Sequence, residues 1–150
     1  MEAFRIAKED FSKNLLASGS ANRWNVNGQF LIYAGSSRSL STLELIVHQN
    51  SVSPAFKYKV MVISIADEEN LFTHLLQANL PKEWRSMAAY PTLQQSGSEW
   101  YQNNRSLVLK VPSAVIPKEY NFIINTKHPE FIDKVSLVRT EDYFWDDRLF

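Results

Sequence analysis

Asn22-Arg23-Trp24-Asn25-Val26-Asn27-Gly28-Gln29-Phe30-Leu31-Ile32-Tyr33-Ala34-Gly35-Ser36-Ser37, followed at once by Leu40, Leu43, Glu44, Val47 and His48, decides how this chain folds. Gly28 to Tyr33 is a short, mostly apolar run after polar residues, which reads as a buried strand. The leucines and valine after it recur at helical spacing, so a helix follows, with Glu44 and His48 one turn apart at i and i+4. Glu44 lies on the apolar side of that helix. A carboxylate placed there needs a polar cavity or a cation beside it, because burying it alone is costly.

Working outward, Ala3-Phe4-Arg5-Ile6-Ala7 alternates apolar and polar positions like a strand, and Ser18 to Asn22 is a loop by composition. Lys57 to Ile65 alternates strongly. Asp67 is placed to cap a helix running through Leu71, Leu75 and Leu76. Thr92 to Asn103 reads as a helix despite Gly97. Leu107 to Val111, Tyr120 to Ile124 and Val135 to Val138 read as strands separated by proline turns. Strands mixed with a few helices, without repeat or linker, predict one α+β domain over 1–150.

Composition narrows the function classes. Sixteen basic residues balance sixteen acidic ones, so net charge offers no general attraction to nucleic acid. The absence of cysteine excludes disulfides, cysteine nucleophiles and thiolate metal sites. No apolar run approaches the roughly 18 residues of a membrane span, and the start Met-Glu-Ala-Phe-Arg lacks a signal pattern, so the expectation is a cytoplasmic protein that contacts no membrane. His48, His74 and His128 are scattered without metal-ligand spacing, and the glycines are too few for a Walker or Rossmann loop. No Gly-x-Ser-x-Gly elbow surrounds Ser113, which disfavours a serine hydrolase.

Several side chains could nevertheless build a nucleotide site. Arg5 and Arg23 carry forked guanidinium groups that fit phosphate oxygens, although a solvated surface position is the ordinary role of an arginine. Tyr33 could stack on a flat ring, most strongly on a cationic one such as nicotinamide in NAD+, or could simply close the end of a buried strand. Glu44 could handle a sugar hydroxyl, pair with Arg38 or His48, or lie at an exposed helix edge. Ser113, after Pro112 at a strand end, could bond a phosphate or an active-site carboxylate, or serve only the turn.

The sequence resembles the RES domain, the toxin half of RES–Xre toxin–antitoxin modules. The resemblance rests on Phe4-Arg5-Ile6, on Arg23-Trp24-Asn25, on Leu31-Ile32-Tyr33 and on Leu43-Glu44-Leu45-Ile46-Val47-His48. It continues through Leu109-Lys110-Val111-Pro112-Ser113-Ala114-Val115-Ile116-Pro117, Asn121-Phe122-Ile123-Ile124-Asn125 and His128-Pro129. Two positions depart from the family pattern: Ala21-Asn22 stand where small glycines are usual, and Ser36 where a glutamate is common.

The resemblance implies a single domain like a small ADP-ribosyltransferase that attacks NAD+ as substrate, with no separate cofactor and no metal. It implies that Arg5 and Arg23 hold the dinucleotide, that Tyr33 stacks the nicotinamide and that Glu44 binds the nicotinamide ribose. Ser113 would support phosphate or ribose, and Asn125 is a further candidate. The implied activity is cleavage of the nicotinamide N-glycosidic bond, as a glycohydrolase or phosphorylase. Mono-ADP-ribosylation of a protein is the alternative within enzymes, and a catalytically silent binding domain the alternative outside them. The implied partner is an Xre-type antitoxin carrying the helix-turn-helix, with a toxin dimer inside a hetero-oligomeric complex as one arrangement.

Overall fold

The first strand of this protein is an interior one, flanked in the sheet by the second and the third. In the computed structural model, which describes residues 1–48, 52–53 and 55–149, β1 (Glu2–Lys8) lies within a seven-stranded mixed sheet. The other strands are β2 (Leu31–Gly35), β3 (Tyr58–Ile65), β4 (Phe72–His74), β5 (Val108–Pro112), β6 (Tyr120–Asn125) and β7 (Val135–Asp142). Their order across the sheet is β4-β5-β6-β2-β1-β3-β7, and only the β4–β5 pair is parallel. Helices α1 (Arg38–His48) and α2 (Tyr90–Asn103) pack on the sheet, and a single turn, α3 (Phe131–Lys134), precedes β7.

Register explains where a cleft can open. β1 pairs with β3 continuously from Glu2↔Ser64 to Lys8↔Tyr58, yet it meets β2 at one position, Phe4↔Gly35. The sheet is thus two ladders joined at a point, and beyond that point β1 and β2 diverge. Helix α1 bridges the seam: its Ser41 Oγ donates to the Phe4 carbonyl at 2.7 Å. A Cβ on Gly35 would come within 2.5 Å of that same hydroxyl, so the helix can approach the joining point only because residue 35 is glycine.

The core follows the two ladders. Ile32, Met61, Ile63, Leu107 and Ile124 pack together on one face with Ala3 and Ala34. Trp24, Leu31, Trp84, Leu93, Trp100, Leu109 and Ile123 form a second cluster beneath α2, and Phe4, Ile6, Tyr58, Val60 and Val62 a third, against which Leu45 of α1 packs. Gly97 sits where α2 crosses the Trp24 segment, and any Cβ there would overlap the Trp24 carbonyl. The residue that costs helix propensity therefore permits the packing that holds the helix.

Most expected elements are present, with two corrections. The strand expected from Gly28 begins at Leu31, because Gly28 adopts a left-handed φ of 87° and its N–H donates to the Gly19 carbonyl at 2.8 Å, making a turn. The helix expected after Asp67 is absent. That segment forms two short 3₁₀ turns around β4, whose Phe72, Thr73 and His74 pair with Val108, Leu109 and Lys110. The leucine spacing fits either form, and burial of Leu71 at 0% exposure together with the ladder to β5 favours the strand.

Candidate functional site

Four elements converge at the point where the two ladders diverge. A cavity of about 190 Å³ is lined by Phe4, Arg5 and Ile6 of β1, Tyr33 to Gly35 of β2, Ser41, Glu44, Leu45 and His48 of α1, and Asn121 of β6. Arg5, Tyr33 and Glu44, far apart in sequence, thus line one cavity.

Glu44 is the most tightly specified of them. Its Oε1 accepts from the Ser113 hydroxyl at 2.9 Å and from the Asn121 amide at 2.6 Å, while Oε2 lies 3.1 Å from His48 Nε2. Its side chain keeps 17% exposure, so part of the carboxylate faces the cavity. Burial alone would raise its pKa, but the bonds from His48, Asn121 and Ser113 outweigh that and hold the carboxyl below its ordinary value. The group is therefore a fixed anion at neutral pH. Of the partners open to Glu44 in the sequence, His48 is the one found; Arg38 pairs instead with Glu141.

Tyr33 is fixed by its hydroxyl. The phenol donates to Asn25 Oδ1 at 2.5 Å and accepts the Trp24 N–H at 3.2 Å, so the ring orientation is set while the ring lines the cavity. Burial raises its pKa, only partly opposed by the Trp24 bond, and the phenol stays neutral. Tyr33 is no proton donor of ordinary strength, and what it offers the cavity is a ring.

The two arginines differ. Arg5 lines the cavity, and its Nη1 donates to the Leu16 carbonyl at 3.3 Å. No carboxylate pairs with it among the described residues, and burial lowers its pKa without a compensating anion. Such a desolvated cation is poised to take an anionic ligand. Arg23 instead donates to the Trp84 and Arg85 carbonyls at 3.1 and 3.2 Å and lies 4.8 Å from the Tyr90 ring. It lines a small adjoining recess with Glu44 and Asn121, so it is near the carboxylate while tied to the 84–85 loop.

Two expectations change. Ser113 is 1% exposed; besides donating to Glu44, its Oγ accepts the N–H groups of Val115 and Ile116, both at 3.0 Å. It lies behind the carboxylate and has no free reach to phosphate or ribose, so of the partners the sequence allowed it takes the carboxylate. Asn125 is equally buried and bonds Asn104 and the Lys127 N–H, closing a turn at the far end of β6. Opposite Leu31, it is remote from the cavity, which excludes direct contact with a ligand there. The asparagine that does reach Glu44 is Asn121, opposite Gly35, and sequence reasoning missed it. Strand parity could have found it, since Tyr33, Gly35 and Asn121 share one face of the β2–β6 pair. Among the described residues no three histidine, aspartate or glutamate side chains are grouped to hold a metal.

A model of the RES domain family matches residues 2–146. The chain belongs to the RES domain family. Among similar RES proteins, Toxin Res of Yersinia enterocolitica is 35% identical over 127 residues, covering 85% of this chain and 82% of that protein. Toxin Res of Photorhabdus laumondii is 32% identical, covering 99% and 97%. The Prs ADP-ribosylating toxin of a Sphingobium species is 36% identical over 112 residues, covering 74% and 70%. In fold, this RES domain matches a chain of the crystal structure of the Mycobacterium tuberculosis MbcT–MbcA toxin–antitoxin complex with a TM-score of 0.76, at 16% identity, over 95% of this chain and 83% of that one. The α+β domain with a mixed sheet and a few short helices expected from the sequence is the fold found, and it is shared with that toxin–antitoxin chain. No described helix of this RES domain is long and apolar enough to cross a membrane.

Proposed function

We propose that this RES domain is the toxin of a toxin–antitoxin pair and that it depletes NAD+ by breaking the bond between nicotinamide and ribose. The observation that carries this reading is the pairing, in one cleft, of an ionised carboxylate held by Ser113, Asn121 and His48 with a desolvated arginine lacking any described carboxylate partner. Nicotinamide leaves as a neutral molecule from a cationic ring, so the departing group needs no proton. What the reaction requires is stabilisation of the oxocarbenium-like sugar, which a fixed carboxylate supplies electrostatically and through a hydrogen bond from the 2-hydroxyl. Tyr33 presents a ring to the nicotinamide, Arg5 holds the pyrophosphate, and Arg23, after release from the 84–85 carbonyls, adds a second cation. The relatives named Toxin Res and the fold shared with a toxin–antitoxin complex support the toxin role and an antitoxin partner. A protein that consumes NAD+ in the cytoplasm of its own cell needs an inhibitor; the reading assigns that part to an Xre-type antitoxin and leaves DNA contact to it.

A second reading has its own support: a relative at 36% identity is named for ADP-ribosylating Prs, which favours a protein as the acceptor. Incubation of the purified protein with NAD+, with and without inorganic phosphate and with a cell lysate, separates the outcomes. Free nicotinamide with ADP-ribose or its phosphate ester supports the first reading, and label retained on a protein band supports the second. Intact NAD+ under all three conditions would remove both.

A further inference from the structure

The cleft at Glu44 is too small for a dinucleotide. Its volume of about 190 Å³ lies below the roughly 300–1,000 Å³ typical of small-molecule sites. A second cavity of about 530 Å³ adjoins it, and Arg5, Ile6 and Leu45 line both. Arg5 is thus the partition: on one side are Tyr33 and Glu44, on the other Phe11, Leu16, Ala17 and Tyr58.

The character of the second cavity is that of a base-binding site. Apolar and aromatic side chains make up the larger part of its wall, while Lys8, Asp10, Asn14 and Ser18 add polar and charged groups beside Arg5. Phe11 and Leu16 stand 73% and 71% exposed at its rim, large apolar surfaces left uncovered on one short loop. Tyr58 is 3% exposed, and its hydroxyl has no hydrogen-bond partner among the described residues. A cation flanked by two chambers, one holding the Glu44 carboxylate and one with aromatic walls and Asp10 at its side, has the layout of two nucleosides joined by a pyrophosphate.

We infer that the second cavity takes the adenosine half of the dinucleotide, with Arg5 at the pyrophosphate between the chambers and the ring of Phe11 or Tyr58 against the base. This rests on the NAD+ reading of the Glu44 cleft. It adds that the loop of residues 11–18, none of whose side chains touches the scissile bond, sets the preference for a dinucleotide over a mononucleotide. Stacking of a base on an aromatic side chain contributes enough in other nucleotide sites to be read in binding.

The test uses two probes, adenosine monophosphate and nicotinamide mononucleotide, on wild type, Phe11→Ala and Ala17→Leu. Phe11 is largely exposed, so its truncation carries little folding risk; Ala17→Leu fills the cavity from its wall. Adenosine monophosphate binding, followed by calorimetry or ligand-observed NMR, is expected to weaken roughly tenfold in each variant. The ratio of kcat/KM for NAD+ to that for nicotinamide mononucleotide is expected to fall by about the same factor. Adenosine monophosphate that binds wild type and both variants alike, or a kcat/KM ratio that does not move, overturns the assignment. Failure of wild type to cleave either nicotinamide nucleotide removes the proposed reaction, and adenosine monophosphate binding still decides the second cavity.

Discussion

The two ends of the β2–β6 pair are built from the same materials and do different things. At one end Asn125 faces Leu31; at the other, four residues and about 13 Å along the strand, Asn121 faces Gly35. Both asparagines lie on the same face. Asn125 spends its amide on Asn104 and its carbonyl on the Lys127 N–H, closing a turn on itself, whereas Asn121 reaches across to a carboxylate on a helix. The difference arises from what lies over each end. Gly35 lets α1 descend onto the sheet and deliver Glu44, while the Asn125 end is sealed by its own turn. A buried amide becomes part of a site only where a second element brings it an acceptor with a free side.

The largest effect expected from breaking this contrast is at Glu44 itself. Glu44→Gln keeps the shape and removes the charge, and NAD+ consumption should fall by about 10²–10³-fold, the usual scale for losing one preorganised electrostatic contact. Growth arrest on expression should vanish with it at equal protein level, and activity within a few-fold of wild type would reject the role of the carboxylate.

Next come the two asparagines. Asn121→Ala should lower kcat by about tenfold or more with a small change in Tm, because a partly exposed amide is removed from a working carboxylate. Asn125→Ala should do the reverse, costing about 1–3 kcal/mol of stability by orphaning buried polar groups while specific activity of the folded fraction holds. If thermal melts and NAD+ assays show both variants losing activity in proportion to stability, the contrast between the two ends is wrong.

The arginines sharpen it further. Arg5→Ala should mainly raise KM for NAD+, whereas Arg23→Ala, which loses the Trp84 and Arg85 carbonyls, should also lower Tm by releasing the 84–85 loop. Equal KM and equal Tm for the two variants would return both to ordinary surface arginines.

The smallest effect is in pH. With the Glu44 pKa held below its ordinary value of 4.5 in the folded state, its contribution to stability is fully present above the unfolded pKa and is lost as pH falls through the lower, folded one. Between pH 5 and 8 stability should therefore be flat with respect to this group, and any acid limb in kcat/KM attributable to it should lie below about pH 4.5. Glu44→Gln should flatten the acid side of a stability profile measured by denaturant midpoint; an unchanged profile would mean that the bonds from Ser113, Asn121 and His48 do not favour the ionised form.

Much of this architecture was legible because it repeats a local pattern. The alternation of β1 and β3, the helical spacing around Glu44 and the proline-bounded strands of the second half each carry their own period, and each formed where expected. The segment after Asp67 was misread because three leucines satisfy a helical template, while the deciding partner, β5, lies more than thirty residues on. The site was legible by residue type and not by role. Sequence marks Ser113 and Arg23 as polar groups near a site, but that the serine faces the carboxylate from behind, and that the arginine is held by two backbone carbonyls, depends on turns whose geometry no spacing encodes. The cavity beside Phe11 was invisible for a related reason: β1, the loop of residues 10–18, Leu45 of α1 and Tyr58 of β3 wall it together, and only the fold brings them side by side.

Gly97 has a reach beyond helix packing. The backbone of Trp24 is pressed against α2 there, the N–H of the same residue steadies the Tyr33 hydroxyl, and Asn25 beside it accepts the hydrogen bond that the hydroxyl donates. Helix, loop and ring form one rigid linkage. The tilt of the aromatic wall in the cleft is thereby gauged by the thickness of a residue that has no side chain, set against the backbone of the loop that holds the ring.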